Sequence, residues 1–303
     1  MSIHIFRPEV IVAAASALWG LFWIPLRAFE QQGLDPGWVT IAQFVAPLIC
    51  LLPFALIRLL RNQPSGVSQI TTGLLIGAAF ALYCQSLMLT DVVRALILFY
   101  VMPAWGTIAE VGFMGRKFTF WRGVALVLSM FGLLTILGIG GDFSLALNSG
   151  DVMALVSGVV FTIGAMRVRQ TEDVSVFEQL FAFFLFGALV SLGLLFLFSS
   201  GGANVTGVEK VPPMEKIVDL LPWFLLMAVV FLIPVMWGIY WGSGLVDPGR
   251  LGILLQLEAV VGIISAALLA GEPFGWRELI GAVLVVSAGL VEVFGNQSTT
   301  ESH

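Results

Sequence analysis

Apolar positions along this chain gather into ten long runs joined by short polar stretches, at 10–29, 37–58, 70–90, 93–113, 121–139, 150–168, 175–198, 218–241, 250–270 and 276–294. A helix needs roughly 20 apolar residues to cross a hydrocarbon core about 30 Å thick, and each run is close to that length. The runs are continuous rather than alternating, which excludes a membrane β-barrel. The pattern therefore predicts an all-α integral membrane protein with ten transmembrane helices. Composition agrees, with 59% of 303 residues hydrophobic, 11% charged, and a mean hydropathy of +1.01. A soluble domain cannot bury that much apolar surface. The first residues lead directly into the first run without a small-residue cleavage site, so no cleavable signal peptide is expected.

Basic residues set the expected orientation. With the N-terminus inside, the cytoplasmic joins receive Arg7, Arg58, Arg61, Arg116, Lys117, Arg122, Arg167, Arg169 and Arg250. The far side receives Arg27, Arg94, Lys210, Lys216 and Arg277. The close pairs Arg58/Arg61, Arg116/Lys117 and Arg167/Arg169 dominate this bias, and both termini are expected in the cytoplasm. The net charge of −5 carries no information about partners, because orientation follows Lys and Arg rather than net charge.

The chain also repeats itself. Asp91-x-x-Arg94 recurs as Asp247-x-x-Arg250, and Trp121-Arg122 recurs as Trp276-Arg277. Pro103 and Gly115 share their spacing with Ala259 and Gly271, and Gly123 followed by Ser129 recurs as Gly281 followed by Ser287. Two copies of a five-helix unit are expected, at 1–142 and 143–296, with 297–303 as a disordered tail. An odd helix number makes the second copy enter from the opposite side, so the repeats are inverted. Inverted repeats surround a midplane cavity and exchange conformations to give alternating access. The expected function is secondary transport, since the short joins leave no soluble catalytic or sensing domain.

Polar residues inside spans are costly and face a bundle interior. Gln43, Gln85, Gln256 and Glu258 are the candidates, with Glu110 placed nearer the cytoplasmic end beside Arg116 and Lys117. Glu258 lies about eight residues into its span, roughly 12 Å deep at 1.5 Å per residue, with no basic residue at that depth. It is expected to contact a substrate ammonium group or to bind and release a proton. Aromatic candidates are Trp19, Tyr83, Tyr100, Trp237 and Tyr240, all three tyrosines of the chain falling inside spans, where a hydroxyl needs a partner. Such a cavity suits a zwitterion with an apolar side chain, held by hydrogen bonds, aromatic walls and cation–π contacts. Buried Lys and Arg are not predicted there, which argues against phosphorylated or strongly anionic substrates.

Glycine and proline fit moving parts. Pro25, Pro47, Pro53, Pro103, Pro222 and Pro234 lie in or at the ends of spans, where each frees a backbone carbonyl. The joins at 90–92 and 242–249 are expected hinges. Cys50 and Cys84 lie in predicted spans and are not expected to pair, and the only histidines are His4 and His303. No metal site, cofactor or catalytic site is expected, and no phosphate loop or nucleotide-binding domain is present to power transport with ATP.

Several motifs in order resemble one family. They are Ala17-x-Trp19-Gly20, Met102-Pro103, Gly115, Gly150-Asp151, Leu257-Glu258-Ala259-Val260, the run ending Gly271-Glu272, and Ile280-Gly281-Ala282 with Ala288-Gly289. Together the chain resembles the drug/metabolite transporter superfamily, EamA type. Ala259 stands where that family usually has proline, so any kink in the ninth helix must arise elsewhere, and Arg116 replaces an acidic residue. Within the superfamily the chain looks most like the amino-acid exporters, including the aromatic amino-acid branch. The resemblance implies export of aromatic and other neutral amino acids across a bacterial inner membrane. The alternatives are cationic drugs, other small metabolites, or a lipid. The implied partners are the bilayer and a small-molecule substrate, with no nucleic acid, and the chain is expected to act as a monomer.

Overall fold

The computed structural model describes residues 7–64, 66, 69–112, 118–137, 147–168, 174–199, 211–246, 248–271 and 274–300. Its elements are α1 (Pro8–Gly20), α2 (Trp23–Gln31), α3 (Pro36–Leu60), α4 (Ile70–Leu89), α5 (Val92–Phe99), α6 (Met102–Gly112) and α7 (Phe120–Leu137). The second half holds α8 (Ser149–Val168), α9 (Val176–Ser199), α10 (Met214–Met227), α11 (Ile233–Ser243), α12 (Pro248–Leu269) and α13 (Trp276–Thr300), with a π-helical turn at Ala228–Leu232 between α10 and α11. No strand occurs among the described residues.

Proline explains why the thirteen helices among the described residues make ten membrane segments. A proline ring clashes with the carbonyl four residues earlier and cannot donate to it. Four residues before Pro25 is Leu21, where α1 gives way to α2; four before Pro103 is Phe99, the last residue of α5. Four before Pro234 is Val230, inside the π-helical turn. The segments in chain order are α1–α2, α3, α4, α5–α6, α7, α8, α9, α10–α11, α12 and α13. Seven of these, among the described residues, are long and apolar enough to cross a membrane by length and composition, and Phe120–Thr135 and Leu254–Leu269 are shorter apolar helices. The face where α1 begins is called the near face below, and the face where α2 ends the far face.

Helix contacts follow a two-fold pattern. The third segment packs on the sixth, and the eighth packs on the first; the first packs on the ninth, and the sixth on the fourth. The fifth and tenth pack on each other, as do the second and seventh and the fourth and ninth. Exchanging each segment for the one five places later reproduces the same set. Two five-helix repeats related by an in-plane axis give this result, and the odd number per repeat makes them inverted. Apolar side chains such as Phe54, Leu60, Trp223, Val229 and Val230 are exposed on the outer surface, which only a bilayer accommodates at this density.

α13 runs on to Thr300. One expectation needs adjustment. The first and fourth spans, expected as single runs, are each broken near the midplane. Gly115, Arg116, Lys117, Arg169, Lys210, Asp247, Glu272, His4 and His303 lie outside the described residues, as does most of the join at 199–217.

Candidate functional site

Both broken segments meet α12 at the same level. Gly20, the last residue of α1, lies so close to α12 that a Cβ there would come within 2.6 Å of the Glu258 carbonyl oxygen and 2.9 Å of the Gly262 backbone nitrogen. Only a residue without a side chain permits that approach. Trp23, just past the break, donates its indole N–H to Ser265 Oγ at 3.0 Å, fixing α2 to α12. On the other side Tyr100 caps α5 at the second break. Gly158 of α8 lies against the Phe99 carbonyl beside it, where a Cβ would approach to 2.7 Å.

Glu258 is therefore held between two interrupted helices. Tyr83 of α4 donates its hydroxyl to Glu258 Oε1 at 3.1 Å, and Tyr100 lies near the same carboxylate. Both tyrosines are buried, 2% and 5% exposed. Glu258 is itself half-buried, and no cationic side chain stands against it among the described residues. A carboxylate that has lost part of its hydration is favoured by a cation, a hydrogen bond or a proton.

Rings gather around Tyr83. Tyr83 lies 4.5 Å from Phe99 and 6.3 Å from Phe80 between ring centroids, and Phe161 is 5.7 Å from both phenylalanines. Trp19 stacks on Phe22 at 4.6 Å and meets Phe80 edge-on at 5.6 Å. Phe183 meets Phe80 at 5.1 Å and Tyr240 at 6.4 Å. Phe183 and Tyr240 also border a cleft at the near face, shared with Gln69, Thr72, Gly73 and Gln179. Its volume of about 30 Å³ admits water but not an amino acid.

A polar cluster closes the far side. Asp151, at the start of α8, is fully buried and accepts from Arg94 Nε at 2.8 Å and Thr90 Oγ1 at 2.9 Å. Asn148 and Asp151 bond reciprocally through side chain and backbone, in the manner of a capping box. Asn148 Nδ2 donates to Thr90 Oγ1 at 3.0 Å, and Arg27 donates to the Leu87 and Thr90 carbonyls at 3.1 and 2.9 Å. The ends of the first, third, fourth and sixth segments are thereby tied together.

The expected site residues separate into two groups. Trp19, Tyr83, Tyr100, Tyr240 and Glu258 belong to the ring cage or its near-face edge, and Gln43 adjoins it through Cys84. Gln256 turns instead toward α13, where its amide lies over Gly289. Gln85 is buried on α4 but two residues from Tyr83, hence on another side of the helix. Trp237 is 42% exposed and takes no part in the ring contacts described. The side chains of Glu110, Pro103 and Arg250 lie outside the described residues. Sequence reading missed Phe80, Phe99 and Phe161, took Gly20 only as part of a motif, and missed the cluster at Asp151, although Asn148-x-x-Asp151 has capping-box spacing that could have pointed to it.

Comparison with known proteins follows the same lines. The pattern of the EamA-like transporter family matches twice, over residues 7–138 and 148–292. A probable amino-acid metabolite efflux pump of Salmonella typhimurium is 24% identical over 172 residues, which cover 56% of this chain and 56% of that protein. The match thus spans about half the length of that relative. A solved crystal structure superposes over 94% of this chain and 96% of its own, with a TM-score of 0.56 and 17% identity, a likeness of fold alone.

Proposed function

The chain belongs to the EamA-like transporter family, so it is a multi-pass membrane transporter and not an enzyme, and on that premise we propose that it exports amino acids, aromatic and other neutral ones, by alternating access. The membrane is a bacterial inner membrane, the near face is cytoplasmic, and a single copy of the chain carries the whole pathway.

One observation carries this reading. A single half-buried carboxylate, Glu258, accepts from the buried Tyr83, itself packed among phenylalanine rings, and no side-chain cation balances it among the described residues. Such a group accepts a cation or a proton. A primary ammonium satisfies it, and the rings take an apolar side chain. The relative described as an amino-acid metabolite efflux pump supports the same substrate class. Transport proceeds when the carboxylate and its load are exposed first to one face and then to the other. The broken segments beside Glu258 supply flexibility at the midplane.

The test is uptake of radiolabelled amino acids into proteoliposomes holding the purified protein, with and without an imposed pH gradient. Saturable uptake, displaced by unlabelled aromatic or neutral amino acids, is expected. No uptake of any amino acid, in vesicles shown to hold folded protein, overturns the reading in favour of cationic drugs or other metabolites.

A further inference from the structure

Two buried nitrogen donors beside the cage have no acceptor among the described residues. They are Trp19 Nε1 and Gln43 Nε2, each on a side chain only 3% exposed. Burying an N–H without a partner is unfavourable, and such groups in folded proteins call for an explanation. Here their position gives one. Trp19 precedes Gly20, whose backbone touches that of Glu258, and its indole meets Phe80, one turn from Tyr83 on α4. Gln43, on α3, lies toward Cys84, whose sulfur is a weak acceptor that its amide does not reach at hydrogen-bond length. Phe80, Tyr83 and Cys84 share one face of α4 by their three-and-four spacing, so the carboxylate and the two unfilled donors approach the same face of that helix.

We propose that the site reads its ligand with one polarity: the α-ammonium at Glu258 and its tyrosines, the α-carboxylate at Gln43 Nε2 and Trp19 Nε1, and the side chain among the phenylalanine rings. This rests on the amino-acid reading above and adds which residues recognise which end. Both carboxylate donors are neutral, so they suit an anionic group that arrives with its own cation and not a bare anion. A decarboxylated amine leaves both donors unfilled. In a dipeptide the carboxylate stands about 3.6 Å further from the ammonium, so the two ends no longer fit together.

The experiment measures competition against tracer phenylalanine in proteoliposomes of the full chain, using phenylalanine, phenethylamine, phenylalaninamide and 3-phenylpropionate. In the wild type, loss of the carboxylate as in phenethylamine is expected to weaken competition by about tenfold or more, the usual result when a site's polar group is left unpaired. In Gln43→Leu and in Trp19→Phe, phenylalanine weakens more than phenethylamine does, so their ratio contracts. Phenethylamine competing as well as phenylalanine in the wild type overturns the polarity without recourse to any variant. Variants that still transport and keep the wild-type ratio overturn it as well. Absence of any amino-acid transport by the wild type removes the amino-acid reading itself, a distinguishable result.

Discussion

At the scale of single residues, Glu258 stood out in the sequence because it is a lone carboxylate in an apolar run, and the three tyrosines because all fall inside spans. The structure brings Tyr83 and Tyr100 to that carboxylate. Gln256 and Gln85 were less legible, although helical geometry held the clue. Gln256 is two residues from Glu258, and positions two apart on a helix do not face each other; Gln256 accordingly lies over Gly289 on α13. The phenylalanines of the cage carried no signal, since 24 phenylalanines in a membrane chain do not reveal which face inward. Tyr83→Phe removes one donor to a charged acceptor, worth about 1.5–3 kcal/mol. It is expected to weaken substrate affinity by about tenfold or more, read as a raised half-saturation concentration in vesicle uptake. Glu258→Gln keeps the shape but cannot hold charge or a proton. Transport is expected to fall at least about tenfold and to lose its pH dependence. Wild-type rate with an unchanged pH profile in Glu258→Gln ends any functional role for that carboxylate.

At the scale of elements, the ten spans were legible to within a few residues because each is a continuous apolar run. The breaks were only half legible. Pro25, Pro103 and Pro234 each interrupt their segment four residues upstream, yet Pro47 and Pro53 sit inside an unbroken α3. The difference belongs to tertiary packing, which decides whether a freed carbonyl is accommodated in a continuous helix. Ala259 in place of the family's proline leaves α12 unbroken from Pro248 to Leu269, so the repeats are not equal: one copy bends at Tyr100, the other presents Glu258 from a straight helix. Glycine contacts set how closely these elements approach, and two of them should behave differently. A Cβ at Gly20 meets backbone atoms of α12, which cannot yield, whereas a Cβ at Gly289 meets the movable amide end of Gln256. Gly20→Ala is expected to cost about 1–3 kcal/mol, read as a lowered melting temperature in detergent, together with loss of transport. Gly289→Ala should stay close to wild type in both measurements. Equal effects from the two substitutions contradict this account of the α1–α12 crossing.

At the scale of the whole molecule, the inverted repeat was legible from Asp91-x-x-Arg94 and its echo at Asp247, but the partner of Arg94 was not, because Asp151 lies 57 residues away in sequence. The described contacts place this cluster at the far face and, at the near face, rings beside a cleft too small for an amino acid. Opening the far face requires the Arg94–Asp151 pair to part. Asp151→Ala strands Arg94 and is expected to cost about 3–5 kcal/mol, while the double substitution Arg94→Ala/Asp151→Ala loses less than the sum of the single ones. Thermal unfolding of the four proteins measures that coupling. The chain also carries its own reporter of access. Cys84 is 1% exposed, beside Gln43 and within reach of Glu258, and Cys50, the other cysteine, is removed by Cys50→Ser. In that background a membrane-impermeant thiol reagent applied to the far face should modify Cys84 slowly. Breaking the Arg94–Asp151 pair should accelerate labelling by shifting the population toward a far-open state, and saturating substrate should protect. Labelling that is fast in the parent protein, or unaffected by loss of the pair, shows that the polar cluster is not what holds the far face shut.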